Sequence, residues 1–235
     1  MIFETITCRF QFRFKDRVTA GHVLGDFVKH NLKWKEREKT AILGIPRGGV
    51  ITADIVARKI GASYFEVVIP RKLTHPDNEE QAIGAIMEDG LTYIDPYFVN
   101  DLRISPDYLE KEKSKQLQEI KRRSILYLKE PKKNINSILK DRTVVIVDDG
   151  AATGATIIAA AKWIKRLQDA PRCLIIAIPI APKSTVRLLE KECDAEVKAL
   201  ITPSSAFFHS VEQYYKTFKQ VTDEQVIGII EKQNL

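Results

Sequence analysis

Cysteine is scarce in this chain of 235 residues: there are three, at positions 8, 173 and 193, with no CxxC spacing and no Cys/His cluster. That excludes a disulfide scaffold and a zinc site, and points to a reducing compartment. Long apolar runs are also missing. The longest, Cys173 to Pro182, is about half of what a membrane span needs, and no basic stretch followed by an apolar run opens the chain. The expectation is a soluble cytoplasmic protein with no membrane partner. The GxxxxGK[ST] loop of nucleoside triphosphate sites is absent, and no GxGxxG precedes an acidic ribose ligand, which disfavours both of those phosphate-binding classes. There is no internal repeat and no low-complexity tract.

What is present is a slightly basic chain, with 37 Lys and Arg against 31 Asp and Glu, a formal net charge of +6 and a pI near 9.1. Nucleic acid or a small anionic substrate fits that balance equally well. The densest basic cluster, Lys111 to Lys133, is interleaved with Glu112, Glu119 and Glu130, the pattern of a solvated helix face. No helix-turn-helix or RNA-binding signature accompanies it, so nucleic acid is disfavoured as a partner. A hydrophobic share of 44% suits one α/β domain carrying an insertion over residues 1–235.

Residues 40–46 (TAILGIP), 65–71 (FEVVIPR), 143–149 (TVVIVDD) and 173–180 (CLIIAIPI) are short β-branched runs, the pattern of strands buried on both faces. Residues 196–201 are a weaker fifth. Helical periodicity lies between them at about 17–33, 49–61, 154–169, 182–193 and 222–232. This alternation predicts an α/β fold with a mainly parallel central sheet and ligand chemistry at the carboxyl ends of its strands. Residues 74–142 are too long for an ordinary connection. They read as an insertion with a hairpin over 83–94, turning at Asp89-Gly90, and a polar helix from Pro106 to about Tyr127. Residues 202–218, rich in Ser, Phe and Tyr, form a small hood after the last strand.

Chemistry concentrates in VVIVDDGAATGAT, residues 144–156. Four β-branched residues deliver Asp148 and Asp149 to the end of a buried strand, where adjacent carboxylates have no packing reason to be. Gly150, Ala151, Ala152, Thr153, Gly154, Ala155 and Thr156 are all small, so the backbone can curl and aim successive N–H groups at one anion. A helix starting near Gly154 adds its positive end, and the threonine hydroxyls can join it. The carboxylates can meanwhile accept from a vicinal diol, so a ribose 5-phosphate unit is the expected ligand. A plain turn with a threonine cap explains each part separately but not their conjunction.

This segment resembles the signature of the type I phosphoribosyltransferases. The resemblance implies that Asp148 and Asp149 contact the ribose hydroxyls of 5-phosphoribosyl 1-pyrophosphate (PRPP), that residues 150–156 hold its 5-phosphate, and that the fold is of that family's type. Ile45-Pro46-Arg47-Gly48-Gly49 resembles the family's pyrophosphate loop. Pro70-Arg71-Lys72-Leu73 resembles its second basic segment, which implies that Arg47, Arg71 and Lys72 stabilise the departing pyrophosphate. A subgroup resemblance adds His75, Glu79, residues 82–85 and the early Phe14-Lys15-Asp16-Arg17 with Ala20-Gly21, without indicating a substrate. Magnesium would arrive mainly with PRPP and touch Asp148 or Asp149 directly or through water.

The family reading implies transfer of phosphoribosyl to a small nitrogenous acceptor, as in purine or pyrimidine salvage, by a homodimer. A non-catalytic PRPP-binding regulator and hydrolysis without an acceptor are the competing readings. Family members acting on 6-oxopurines carry an aspartate where this chain has Ala152, which disfavours hypoxanthine and guanine. Phe207, Tyr214 and Tyr215 of the hood are candidates for stacking on the acceptor, with a core role as the alternative. Residues 74–95 are the candidate lid. For the long helix, the lid, a dimer interface and solvated decoration all remain open.

Overall fold

A computed structural model describes residues 12–32, 39–98, 101, 103–128 and 135–233. Its centre is a five-stranded sheet in the order β2-β1-β6-β7-β8, formed by β1 (Thr40–Gly44), β2 (Tyr64–Val67), β6 (Thr143–Val147), β7 (Cys173–Ile180) and β8 (Glu196–Ile201). Every pairing in it is parallel. The helices are α1 (Arg17–Asn31), α2 (Gly48–Ile60), α3 (Pro106–Tyr127), α4 (Ile135–Leu139), α5 (Ala155–Lys165), α6 (Lys183–Cys193) and α7 (Asp223–Gln233).

Buried apolar residues make the central strands β1, β6 and β7, where both sheet faces are covered, while the edge strand β8 is exposed or half-buried. Along β1 and β6, Ala41, Leu43, Val144 and Ile146 face a cluster shared with α5 and α6, while Ile42, Val145 and Val147 face one shared with α1, α2 and α7. Each fully buried Val, Leu or Ile contributes roughly 1.5–3 kcal/mol relative to exposure. The chain passes from β1 outward to β2, and from β6 outward in the other direction to β7 and β8. The junction of β1 and β6 is therefore the switch point of the sheet, where the loops after the two strands diverge and leave a crevice.

The second strand is shorter than its sequence run. It ends at Val67, while Val68 and Ile69 stay buried as a connector, so apolar burial outlasts strand pairing. Arg71 then opens β3 (Arg71–His75), which pairs antiparallel with β4 (Asn78–Ile86), and β4 pairs with β5 (Thr92–Ile94). The hairpin read around Asp89-Gly90 is thus two strands of a three-stranded sheet. Ala82 to Met87 are buried, whereas Asn78 to Gln81 are exposed. Three fully buried alanines, Ala159, Ala160 and Ala161, keep the facing side of α5 flat. Among the described residues, no helix is long and apolar enough to cross a membrane.

Candidate active site

Parallel pairing of β1 with β6 aligns Gly44 with Val147, and the Ile45 N–H donates to the Val147 carbonyl at 3.0 Å. The Arg47-Gly48-Gly49 turn and the Asp148–Thr156 loop therefore leave the sheet side by side. The Pro46–Arg47 peptide bond is cis. The two glycines are needed for this abutment. A Cβ on Gly48 would lie 1.9 Å from Asp149 Oδ2, and one on Gly49 would lie 2.6 Å from Asp148 Oδ1, distances that no side chain can occupy.

Asp148 is buried at 9% exposure, and its Oδ1 accepts from the Asp149 N–H at 2.8 Å. Burial, followed by the neighbouring Asp149, raises its carboxyl well above the usual value, and Lys72 opposes that shift. Asp149 Oδ2 accepts from Arg17 Nε at 2.6 Å. Beyond these, no donor reaches either carboxylate among the described residues, and the two carboxyl groups interact with each other side chain to side chain. Two adjacent acids, each with one oxygen bonded to a donor, fit a diol or a phosphate-borne divalent cation. No group of three or more His, Cys, Asp or Glu side chains able to hold a metal occurs among the described residues.

The loop beyond the acids is fixed from outside. The Tyr215 hydroxyl donates to the Asp149 carbonyl at 2.7 Å, the Ala151 N–H to the Ile180 carbonyl at 2.9 Å, and the Thr185 hydroxyl to the Ala152 carbonyl at 2.6 Å. With the Ala152 carbonyl held by Thr185, the amides of Ala152, Thr153 and Gly154 keep no hydrogen-bond partner among the described residues. Ala152 and Thr153 are exposed. Gly154 sits at φ +78 immediately before α5, the left-handed conformation glycine adopts most readily. The result is a nest of outward amides on a helix N-terminus, able to hold a phosphate. Of the seven small residues in the loop, Ala151 and Ala155 use their amides within the fold, Ala155 donating to Thr153 Oγ1 at 3.4 Å.

Arg71 and Lys72 are neighbours on β3 and point to opposite faces, as alternate strand residues must. Exposed Lys72 carries its charge toward Asp148. Arg71 turns toward α3, where its Nε donates to Gln116 Oε1 at 2.9 Å, and Gln116 in turn donates to Glu112 Oε1 at 2.8 Å. Burial, then the nearby Arg123, lowers the Arg71 pKa, and Arg47 adds to that effect. Arg47 meets Asp223 of α7 at 3.5 Å, and Asp223 also accepts from Arg122 at 2.9 Å and from the Tyr127 hydroxyl at 2.5 Å. Burial raises the Asp223 carboxyl, but those two hydrogen bonds outweigh it and the net shift is downward.

The hood aromatics separate. Tyr214 and Tyr215 are buried with Phe14, and Phe207 is 72% exposed. Phe208 stacks on Tyr214 at 5.9 Å. Gln116, Asp223 and Arg17, and the anchoring role of Tyr215, were not identified as site features from the sequence. Arg17 did fall within the segment that resembles the subgroup, but nothing local assigned it a task.

Comparison with known proteins adds the following. A family model described as a phosphoribosyl transferase domain matches residues 16–216. The Mycobacterium tuberculosis (strain ATCC 25618 / H37Rv) protein named "Putative phosphoribosyl transferase Rv0571c" is 35% identical over 220 residues, which is 93% of this chain and 46% of that protein. The CDC 1551 / Oshkosh strain protein MT0597 gives the same values. The chain thus spans about half the length of the curated relatives it matches. The crystal structure of TT1426 from Thermus thermophilus superposes with a TM-score of 0.72 at 37% identity, covering 94% of this chain and 99% of that one.

Proposed function

Because this chain belongs to the phosphoribosyl transferase family, we propose that it transfers phosphoribosyl from PRPP to a small nitrogenous acceptor, with release of pyrophosphate. The observation that carries this reading is the abutment of the Arg47-Gly48-Gly49 turn on the Asp148–Asp149 pair beside the amides of residues 152–154. A ribose at the pair places its 5-phosphate over those amides and its 1-pyrophosphate toward Arg47, Arg71 and Lys72.

In the reaction, the bond from ribose C1 to the pyrophosphate oxygen breaks and a bond from C1 to the acceptor nitrogen forms. Positive charge develops on the ring and negative charge on the leaving group. Asp148 and Asp149 accept hydrogen bonds from the ribose hydroxyls and hold negative charge beneath the ring. The outward amides of the loop and the N-terminus of α5 fix the 5-phosphate. Arg47, Arg71 and Lys72 stabilise the leaving charge, pre-oriented donors of this kind being worth about 3 kcal/mol each. Magnesium, with Asp148 and Asp149 as its protein contacts, would supply further neutralisation of the pyrophosphate. The exposed methyl of Ala152 cannot accept a proton from a base, so an acceptor other than a 6-oxopurine is preferred. The exposed tip of the β3–β4 hairpin serves as the lid, and Phe207 is the hood aromatic accessible to an acceptor ring.

Two measurements test this. PRPP is titrated with magnesium by calorimetry, where no heat at millimolar ligand overturns the reading. Pyrophosphate release is then assayed across a panel of bases: release that depends on one of them identifies the acceptor, release without any marks hydrolysis, and no release with any marks a PRPP-binding protein.

A further inference from the structure

Arg17 is the first residue of α1, and α1 is capped by the Asp16 side chain accepting from the Thr19 N–H at 2.8 Å. Three contacts hold its guanidinium. Nε donates to Asp149 Oδ2 at 2.6 Å, one terminal nitrogen donates to the Lys219 carbonyl at 2.7 Å, and the carbon of the group lies 3.7 Å from the centre of the Phe218 ring. The side chain is buried, and the pair it forms with Asp149 is covered by Gly48, where a Cβ would lie 2.7 Å from Arg17 Nε. Asp149 is therefore held at two points, its carbonyl by Tyr215 and one carboxylate oxygen by Arg17. The other carboxylate oxygen is left for a ligand.

We propose that Arg17 is a positioning residue for the phosphoribosyl site, fixing the Asp149 carboxylate so that its second oxygen is presented to the ribose. This rests on the function proposed above. A lysine cannot replace it, because an ammonium is a point charge without the planar fork that joins Asp149 to the Lys219 carbonyl and stacks on Phe218. The same fork ties the carboxylate to the strand of chain that follows the hood. The backbone around Phe14 bonds to Tyr214 and Lys216, and that of Lys15 to Thr217. Seating of the hood and alignment of the ribose acid are thereby linked through one side chain.

The test titrates PRPP with magnesium into wild type, Arg17→Ala and Arg17→Lys, each with and without millimolar methylguanidinium, alongside thermal melting of each protein. Expected is a loss of affinity of about tenfold to a hundredfold in Arg17→Ala, the range for one charged hydrogen-bonding partner. Methylguanidinium restores most of it, and Arg17→Lys remains about tenfold weak at an unchanged melting temperature. Absence of binding by wild type overturns the functional reading itself. Wild-type binding with either folded variant within twofold of it overturns this inference alone. So does an equal loss in both variants that methylguanidinium does not relieve, since a packing role behaves that way.

Discussion

The two halves of the crevice are built on opposite plans. The half proposed for ribose and phosphate is one contiguous segment, residues 148–156, whose acids sit at the end of a fully buried strand and whose loop is fixed at three backbone atoms. The half proposed for pyrophosphate is assembled from side chains on different elements: Arg47 before α2, Arg71 and Lys72 on β3, with Gln116 on α3 and Asp223 on α7 in contact with the two arginines. A rigid backbone cradle suits a ligand group that stays bound throughout the reaction. Orientable cations suit a group that must leave.

The contrast is broken most directly at the acids. Asp148→Asn combined with Asp149→Asn is expected to lower PRPP affinity by ~100-fold or more in calorimetry, two charged hydrogen-bond acceptors being lost. A loss under tenfold would remove the pair from the PRPP site. Next in size is Gly48→Ala, where the added methyl meets the Arg17–Asp149 pair. Overpacking of this kind costs about 1–3 kcal/mol, read as a melting temperature several degrees lower and weakened PRPP binding. Smaller again is Gln116→Leu, which removes the acceptor of Arg71. It should weaken PRPP about three- to tenfold, as one hydrogen bond does, and a loss equal to that of the acids would erase the distinction between the halves.

A fourth prediction sharpens the comparison through stability. In the ligand- and metal-free protein, burial and Asp149 raise the Asp148 carboxyl above its unfolded value of 3.8. The folded state then binds this proton more tightly than the unfolded chain does. The associated stabilisation is complete below 3.8 and is lost as pH rises through the folded value. Asp148→Asn should therefore melt higher than wild type at pH 7 and lose that advantage as pH falls through the folded value, with none left below 3.8, while binding PRPP poorly. The smallest effect is expected for Phe207→Ala, a change within about 0.5 kcal/mol in stability at an exposed site. An altered KM for the acceptor at unchanged PRPP affinity would mark Phe207 as part of the acceptor site.

The same division governs what could be read from the sequence. The central strands β1, β6 and β7 were legible because burial on both faces leaves nearly unbroken apolar runs, β8 more weakly because it is exposed or half-buried along its length, and the acid-loop segment because its parts adjoin in the chain. The end of β2 was obscured by Val68 and Ile69, whose burial in a connector looks like continued strand. Gln116 and Asp223 were illegible because nothing in a solvated helix or a helix start reveals which arginine it will meet 45 or more residues away. Arg17 joined the site for a tertiary reason too: Asp149 lies 132 positions further along. Tyr215 reads equally well as core or as ring-stacking surface until its hydroxyl is found on the Asp149 carbonyl.

The reach of Arg17 has a consequence for how the molecule is made. Its bond to the Lys219 carbonyl joins residues separated by 202 positions, so this contact cannot form until the chain through Lys219 has been made. Contacts of such span are late and entropically costly in folding. A chain interrupted before Lys219 could still form the strands around Val144, yet Arg17 would lack one of the anchors that orient it on Asp149. Ligand affinity would then report whether the segment through Lys219 is in place, more stringently than secondary structure content.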